Sequence, residues 1–255
     1  MINIADIGRD IEKLAGGLNL PVFAHYKDYI KKGRSFEENL LEMLREQTVL
    51  ADNERVKRRI RYSGFPYVKN LDTFDSSPDI YPQLNCDEFN ELKTCRFIEE
   101  KANVVAIGPS GVGKTHIALA MGYEAIKLGY SVRFKTATVL INEMKEATSE
   151  KSLVKYAKTL NRCQLLIIDE VGYLPQDITS AGFLFQIISA RYETASTVFT
   201  TNYEFSKWAQ FIEDGDGRVV SALVSRIAHH AIVLNMNSPR SWRLEHARSR
   251  AGSAK

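Results

Sequence analysis

The 255-residue chain lacks the features that define several broad classes of protein. No apolar run approaches the roughly 18 residues that would suggest a membrane-spanning helix. The first residues, Met-Ile-Asn-Ile-Ala-Asp, show neither the basic nor the apolar region of a signal peptide. Only three cysteines are present, Cys86, Cys95 and Cys163, and their spacing fits no metal site. We therefore expect a cytoplasmic protein with reduced thiols and no membrane association.

Histidine is also scarce, and the charges nearly balance. The five histidines form no zinc-binding pattern, and we expect His229 and His230 to be a surface pair at a helix end rather than metal ligands. The net charge is only +3, which argues against a uniformly basic surface. With 44% apolar and 25% charged residues, the composition is that of an ordinary soluble protein of one or two domains.

What the chain does contain is a complete phosphate-binding loop. An apolar run at 103–107 precedes it and a helical pattern at 116–128 follows it. The loop consists of Gly108, Pro109, Ser110, Gly111, Val112, Gly113, Lys114 and Thr115, and His116 is the next predicted nucleotide contact. A strand, a glycine loop and a helix in this order predict that the chain binds a nucleoside triphosphate.

The residue types explain the chemistry of this loop. Glycines let the backbone wrap so that several N–H groups point at phosphate oxygens, and the positive end of the following helix adds to that field. Lys114 can reach the β- and γ-phosphates. The hydroxyl of Thr115 suits Mg²⁺, a hard ion that prefers oxygen ligands.

A second group of candidate residues follows a predicted buried strand. Residues 164–168 read Gln-Leu-Leu-Ile-Ile, which is typical of a parallel strand covered on both faces. Because ligands of open α/β sheets lie beyond the carboxyl ends of the strands, Asp169 is placed to hold Mg²⁺, directly or through water. Glu170 is placed to orient or deprotonate the attacking water. The alternative is a solvated acidic strand end.

Two further candidates have less sequence support. Asn202 ends a short predicted strand at 197–201 and could bind the γ-phosphate or the lytic water, but a turn-forming Asn fits the motif as well. Arg226 lies on a predicted helix. It is either an ordinary surface arginine or an arginine finger that acts on the γ-phosphate of a neighbouring subunit.

Positive charge is concentrated in two stretches, 45–69 and 240–255, which each carry a net charge of +4. In the first stretch the predicted DNA contacts are Arg55, Lys57, Arg58, Arg59 and Arg61. Clusters of this kind can form a phosphate-binding footprint. The alternative is a solvated helix face with a frayed basic tail.

The pattern of apolar residues predicts an α/β fold preceded by a small helical domain. A helix is expected at 21–32, and Ser35 with Glu38 forms a capping box that starts a longer one. We expect a helical N-terminal DNA-binding module at 1–68, a connector and helix at 69–100, a P-loop core at 101–245 and a basic tail at 246–255. Core strands near 103–108, 131–135, 164–169, 197–201 and 231–234 alternate with helices near 114–128, 137–147, 150–161, 179–194, 205–212 and 219–228. This alternation predicts a parallel sheet with helices on both faces.

The order of these motifs resembles the IstB-type transposition helper ATPases of the AAA+ superfamily, which are close to the DnaC-type helicase loaders. The resemblance covers about residues 40–243. Upstream of the loop it includes Arg-Arg-Ile-Arg-Tyr-Ser-Gly-Phe-Pro at 58–66 and Leu-Asp-Thr-Phe-Asp at 71–75. Downstream it includes Tyr-Leu-Pro at 173–175, Leu-Phe-Gln at 184–186, Arg-Tyr-Glu at 191–193, Thr-Thr-Asn at 200–202 and Ser-Lys-Trp at 206–208. Phe-Gln and Arg-Tyr-Glu are more specific than the loop, which many ATPases share.

The resemblance implies an AAA+ P-loop ATPase core that uses ATP and Mg²⁺. It also implies self-association into a higher oligomer on duplex DNA and assistance to a cognate transposase. In such a protein Lys114 and Thr115 bind nucleotide and Mg²⁺, and Asp169 with Glu170 forms Walker B. Asn202 takes the position of sensor 1.

The same resemblance aligns Arg226 with a trans-acting arginine finger. Ser225 stands where the family often has Asp, so Arg218 is the alternative finger. Arg243 matches a family position, but its role is open.

Two other functions are compatible with a P-loop. A DnaC-type loader would use its N-terminal segment to hold a helicase, whereas the basic run at 55–61 favours duplex DNA. A metabolic kinase would carry an arginine-rich lid and a small-molecule pocket. The Asp169–Glu170 pair and the strand that ends at Asn202 favour hydrolysis by water instead.

Overall fold

The computed structural model describes residues 4–173, 178–211, 218–238 and 241. The chain folds as two compact units, Met1–Arg58 and Arg59–Lys255. Arg243 and the predicted basic tail at 246–255 lie outside the described residues, and the predicted domain boundaries stay a prediction. No described helix is both long enough and apolar enough to cross a membrane.

The first unit is helical. It contains α1 (Ile4–Gly17), α2 (Pro21–Ala24) and the start of α3 (Phe36–Ser63). The predicted capping box is present, because the Glu38 N–H donates to the Ser35 hydroxyl at 3.1 Å and the Ser35 N–H donates to the Glu38 carboxylate at 2.7 Å.

The helix predicted at 21–32 is interrupted. After α2 the chain forms only a 3₁₀ turn, Tyr26–Tyr29. Val22 is the buried residue of α2, and the turn buries none. Because short helices depend on packing for their stability, so little apolar burial does not support a longer one.

The second unit alternates strands and helices as the sequence predicts. Its strands are β1 (Asn103–Ile107), β2 (Val132–Thr136), β3 (Leu165–Asp169), β4 (Ser196–Thr201) and β5 (Ala231–Asn235). Its helices after α3 are α4 (Cys86–Leu92), α5 (Arg96–Glu99), α6 (Lys114–Lys127), α7 (Ala137–Ser149), α8 (Leu153–Asn161), α9 (Ile178–Arg191), α10 (Phe205–Phe211) and α11 (Arg218–Ala228). The helix expected within 69–100 is split into α4 and α5 at Cys95, whose φ is +57°, because a left-handed residue cannot continue a helix.

The five strands form one parallel sheet in the order β2-β3-β4-β1-β5. Every residue of β3 and β4 is buried. A parallel strand covered on both faces reads as a continuous apolar run, which explains Leu-Leu-Ile-Ile in β3. Helix α6 packs against β3 and β4. Apolar residues of α7, α8, α9 and α11 join residues from the strands in a large buried cluster.

Two close approaches fix α6 on the sheet. A Cβ placed on Gly122 in α6 would lie 2.7 Å from the Ile167 side chain and 2.7 Å from the Phe65 ring. Any side chain at position 122 would therefore force the Ile167 and Phe65 side chains to shift. Phe65 belongs to the stretch 58–66 that carried the family resemblance, and its contact with Gly122 gives that stretch a packing role.

Candidate active site

The phosphate-binding loop connects the carboxyl end of β1 to the first turn of α6. Gly111 has φ +86° and Gly113 has φ +93°, so both need the left-handed conformation that only glycine adopts at low cost. Gly113 is the residue at the N-terminal cap of α6, and it has no side chain to block the exposed N–H groups. The loop thus presents the positive end of a helix to the site.

The start of the loop is fixed by the neighbouring strands. The Gly108 N–H donates to the Thr201 carbonyl at 3.2 Å, and the Met236 N–H donates to the Ile107 carbonyl at 2.7 Å. A Cβ on Gly108 would lie 2.7 Å from the Met236 carbonyl oxygen. Gly108 therefore permits the chain after β5 to pass directly against the loop.

Lys114 occupies the first position of α6, and its side chain is buried. Its ammonium group donates to the carbonyls of Gly108 at 2.8 Å and of Pro109 at 2.7 Å. The positive charge is thus held at the wall of the cavity into which Ser110, Gly111, Gly113 and Lys114 face.

A buried carboxylate links α6 to β3 and β4. The Thr115 hydroxyl lies 3.0 Å from both carboxylate oxygens of Asp169. The Thr200 hydroxyl also donates to this carboxylate. Asp169 is only 3% exposed. A hydroxyl and a carboxylate in contact beside a phosphate loop form the oxygen-rich donor set that suits Mg²⁺.

The next residue, Glu170, adopts an uncommon backbone conformation. Its φ is +62°, which costs a non-glycine residue roughly 1 kcal/mol. Its N–H donates to the Thr200 hydroxyl at 2.9 Å. The Thr200 hydroxyl thus holds the Asp169 carboxylate and the Glu170 backbone at once. The turn directs the chain away from β3, and the Glu170 side chain is exposed and lines the cavity.

The site opens as a cavity of about 450 Å³, large enough for a small ligand. It is lined by Tyr67, Lys69, Thr73, Phe74, Asp75, Ser110, Gly111, Gly113, Lys114, Thr115, His116, Glu170, Thr200 and Asn202. Asn202 lies here because β3 and β4 are parallel neighbours, which places Glu170 and Asn202 after adjacent strand ends.

An aromatic group borders the cavity beside the loop. The rings of Phe74 and Tyr81 stack with centroids 5.3 Å apart, and Phe74 meets the edge of His116 at 5.5 Å. The Tyr81 hydroxyl donates to the Val112 carbonyl at 2.6 Å. Burial lowers the pKa of His116, with a smaller opposing effect from the Asn70 carbonyl. A neutral imidazole therefore lies on this wall at neutral pH.

A family model described as "IstB-like ATP binding protein" matches residues 22–251. The chain belongs to this IstB-like family. It is 37% identical over 214 residues to the ATP-binding protein of insertion sequence IS5376 from Geobacillus stearothermophilus, covering 84% of this chain and 83% of that one.

A second relative and a solved structure are also similar to this chain. The chain is 33% identical over 218 residues to the ATP-binding protein of insertion sequence IS21 from Pseudomonas aeruginosa, covering 86% of this chain and 80% of the other. In fold, it is similar to the crystal structure of DnaI, with a TM-score of 0.54 and 19% identity over 66% of this chain and 90% of that one. This IstB-like protein has the AAA+ fold and is an ATPase that binds ATP.

The structure separates the predicted site residues of this IstB-like protein into three groups. Lys114, Thr115, Glu170 and Asn202 meet in the cavity, and Asp169 lies directly behind Thr115. Pro109 and Val112 belong to the loop backbone, where their carbonyls bond to Lys114 and Tyr81. Arg226 on α11 is not among the described residues that line the cavity.

Arg226 has a defined environment of its own. Its guanidinium lies 4.8 Å from the centre of the Phe185 ring and donates to the Ala222 carbonyl at 3.2 Å. Phe185 belongs to the Leu-Phe-Gln stretch of the family resemblance. A cation over an aromatic ring is a favourable contact, so Phe185 helps to set the direction of Arg226.

Sequence reasoning assigned no role to several residues of the site. Tyr67, Lys69 and Phe74 line the cavity, Tyr81 bonds to the loop, and Thr200 bridges Asp169 and Glu170. Two of them lay inside quoted motifs, Phe74 in 71–75 and Thr200 in 200–202. The motif signalled that these residues matter, but only the fold shows which atoms they contact.

Proposed function

We propose that this protein is an ATP-dependent DNA-binding and remodelling ATPase that assists the transposase of an insertion sequence, by selecting target DNA and by stimulating the transposase. The observation that carries the proposal is the Thr115–Asp169 contact beside the phosphate loop, with Glu170 and Asn202 on the same cavity. The relatives from Geobacillus stearothermophilus and Pseudomonas aeruginosa are both ATP-binding proteins of insertion sequences, which supports the transposition role.

ATP binds with its phosphates along the loop and its base toward the aromatic wall. Backbone N–H groups and Lys114 neutralise the phosphate charge. Phe74 and His116 border the side of the cavity available to the base. Thr115 and Asp169 would hold Mg²⁺, which would supply positive charge to offset that of the phosphates.

Hydrolysis needs a positioned water molecule. The exposed carboxylate of Glu170 orients this water and accepts its proton, and Asn202 donates to the γ-phosphate or to the water. The Thr200 hydroxyl sets the Glu170 backbone, so the carboxylate starts from a fixed turn. A pre-positioned base lowers the entropic part of the barrier.

Completion of the site requires a second copy of the chain. Arg226 is not among the described residues that line the cavity of its own protomer, and its guanidinium packs on the Phe185 ring. A finger that acts on the neighbouring γ-phosphate fits both facts, and such a finger contributes a factor of about 10³ or more in rate. Arg218, exposed at the start of α11, is the alternative.

The basic run on α3 supplies the DNA contacts. Arg55, Lys57, Arg58 and Arg61 are exposed, and Arg59 is half-buried. Arg55 and Lys57 pair with Asp52 and Glu54 of the same helix, at 2.9 and 2.8 Å. Exposed pairs of this kind contribute about 1 kcal/mol or less, so phosphates can replace them.

The first experiment compares ATP hydrolysis with and without duplex DNA, over a range of protein concentrations. We expect weak turnover by the free protein and stimulation by DNA, because assembly brings in the finger. Glu170→Gln should retain ATP and stall hydrolysis, and Glu146→Gln, an exposed change on α7, is the matched control. A DNA-independent rate at every concentration would refute the coupling.

Mixing two inactive variants tests the finger. Arg226→Ala keeps an intact nucleotide site, and Glu170→Gln keeps an intact finger. If the finger acts on a neighbour, the mixture regains activity that neither variant shows alone. A mixture as inactive as its parts, with assembly confirmed by electron microscopy on DNA, would rule out Arg226 and direct the same test to Arg218.

The alternative is a DnaC-type helicase loader. The likeness to DnaI concerns the fold alone, whereas the relatives with 33% and 37% identity are insertion-sequence proteins. The double variant Arg58→Gln, Arg61→Gln separates the two. For a duplex binder it should reduce the slope of log K against log salt by about 2, and exposed Lys155→Gln should not. No change in the slope would favour the loader.

A further inference from the structure

Three side chains able to bind a metal lie close together at the amino ends of the strands, the opposite end of the sheet from the nucleotide site. Glu193 lies in the turn between α9 and β4, and His229 and His230 lie between α11 and β5. One ligand atom from each lies within 4.8 Å of those of the other two, and all three residues are exposed. The sequence predicted a surface histidine pair at a helix end rather than metal ligands. The fold adds a carboxylate from a distant part of the chain.

The spacing suits a small cation after a modest adjustment. The rings of His229 and His230 have centroids 4.1 Å apart, and the His230 Nε2 lies 4.0 Å from a Glu193 carboxylate oxygen. Bonds of about 2.1 Å in a tetrahedral zinc site place neighbouring ligand atoms roughly 3.4 Å apart. The exposed side chains therefore need to close by roughly 1 Å, which rotamer changes at the surface provide.

The backbones that carry the ligands are tied together by Asn103. Its N–H donates to the His230 carbonyl at 2.8 Å, and its side-chain amide donates to the Ile227 carbonyl at 3.3 Å. Its side-chain oxygen accepts from the Thr197 N–H at 3.0 Å. Asn103 thus holds the start of β4, which follows Glu193, and the start of β5, which follows the two histidines. The scaffold is pre-organised, which limits the cost of binding.

A neighbouring tyrosine orients one of the rings. The Tyr192 hydroxyl lies 2.8 Å from Nδ1 of His229. In the tautomer whose Nδ1–H donates to the Tyr192 oxygen, the lone pair of Nε2 is available to a metal, and partners of this type fix the orientation of ligating histidines in metal sites.

From this geometry we propose that Glu193, His229 and His230 form a binding site for a divalent transition-metal ion, with zinc as the probe. Two imidazoles and one carboxylate match zinc and disfavour Mg²⁺, which prefers oxygen ligands alone. The fourth position stays open to water or to a donor from another molecule. A bound ion joins the end of α9 to the end of α11, the helix that carries Arg226. The site stands independently of the transposition role.

Calorimetric titration of the full chain with zinc chloride, without nucleotide, tests the site. We expect zinc binding that His229→Ala and His230→Ala each weaken at least tenfold, and that Glu193→Gln and Tyr192→Phe weaken about tenfold. His25→Ala, an exposed histidine elsewhere, and Cys86→Ser, a half-buried thiol, are the matched controls and should bind zinc as wild type does.

Thermal unfolding gives a second measurement. Zinc should raise the melting temperature of the wild type and of both controls, and not that of the His229→Ala, His230→Ala double variant. The ligands lie at the amino ends of the strands, whereas the phosphate loop lies at a carboxyl end. The double variant should therefore hydrolyse ATP at the wild-type basal rate. If the double variant binds zinc as tightly as wild type, or if the wild type binds none, the site does not exist.

Discussion

The hydroxyl of Thr200 donates to the carboxylate of Asp169 and accepts from the backbone N–H of Glu170. A single side chain on β4 thereby fixes two consecutive residues at the end of β3. One of them belongs to the oxygen pair that suits Mg²⁺, and the other carries the predicted base. The conformation of Glu170, with φ +62°, is held by this bond.

Thr200→Val should reduce kcat by roughly 10- to 100-fold while the KM for ATP changes little. The substitution keeps the volume, removes a donor from Asp169 and leaves the Glu170 N–H without its acceptor. Steady-state ATPase assays with duplex DNA measure both constants. Thr200→Ser keeps the hydroxyl and should restore most of the activity. Equal kcat values for the valine variant and wild type would show that Thr200 positions nothing.

Gly108→Ala should lower the free energy of unfolding by about 1–3 kcal/mol, because the new Cβ would lie 2.7 Å from the Met236 carbonyl oxygen. Gly182→Ala, on the exposed face of α9 with nothing within 4 Å, should raise it by about 0.5–1 kcal/mol. Denaturant unfolding of the two variants gives the comparison. A Gly108→Ala protein as stable as wild type would mean that the chain after β5 does not press on the loop.

Arg191→Lys should destabilise the protein by roughly 3 kcal/mol, although both residues are cations. Arg191 is 2% exposed, and its guanidinium donates to the carbonyls of Cys163 and Ser196, at 3.0 and 2.6 Å, and to the Thr197 hydroxyl at 3.1 Å. The single ammonium nitrogen of a lysine cannot donate to all three of these acceptors.

Arg162→Lys, at an exposed position, is the control and should leave the free energy of unfolding within about 0.5 kcal/mol of wild type. Denaturant unfolding measures both variants. An Arg191→Lys protein no less stable than the control would show that the hydrogen bonds of the Arg191 guanidinium contribute little to the free energy of unfolding.

His116 should make the protein less stable in mild acid. Burial lowers its pKa in the folded state, so the unfolded chain binds the proton more readily as the pH falls below the reference value of 6.5. Stability is therefore fully present above that pH and declines below it, until the folded-state pKa is passed. His116→Gln should flatten this part of the curve, measured as unfolding free energy against pH. Parallel curves for the two proteins would contradict the prediction.

The sequence anticipated the elements that depend on local chemistry. Apolar runs in the sequence predicted all five strands of the sheet. The residue types at 108–115 predicted the loop, because glycine conformations and helix ends depend on residues that are adjacent in the chain. Asp169, Glu170 and Asn202 could be placed at the same end of the sheet, because the carboxyl ends of parallel strands lie together. The helix expected at 21–32 was wrong in length, because its extent depended on packing that the pattern does not contain.

By itself, then, the sequence determined the nucleotide chemistry and the α/β alternation. Only the tertiary structure decided that Thr200 bridges Asp169 and Glu170, that Phe74 lines the cavity with buried Tyr81 stacked against it, and that Glu193 lies beside the two histidines. The physical reason is separation along the chain. Each of these contacts joins residues from different elements, and their meeting depends on strand order and on how each helix packs against the sheet.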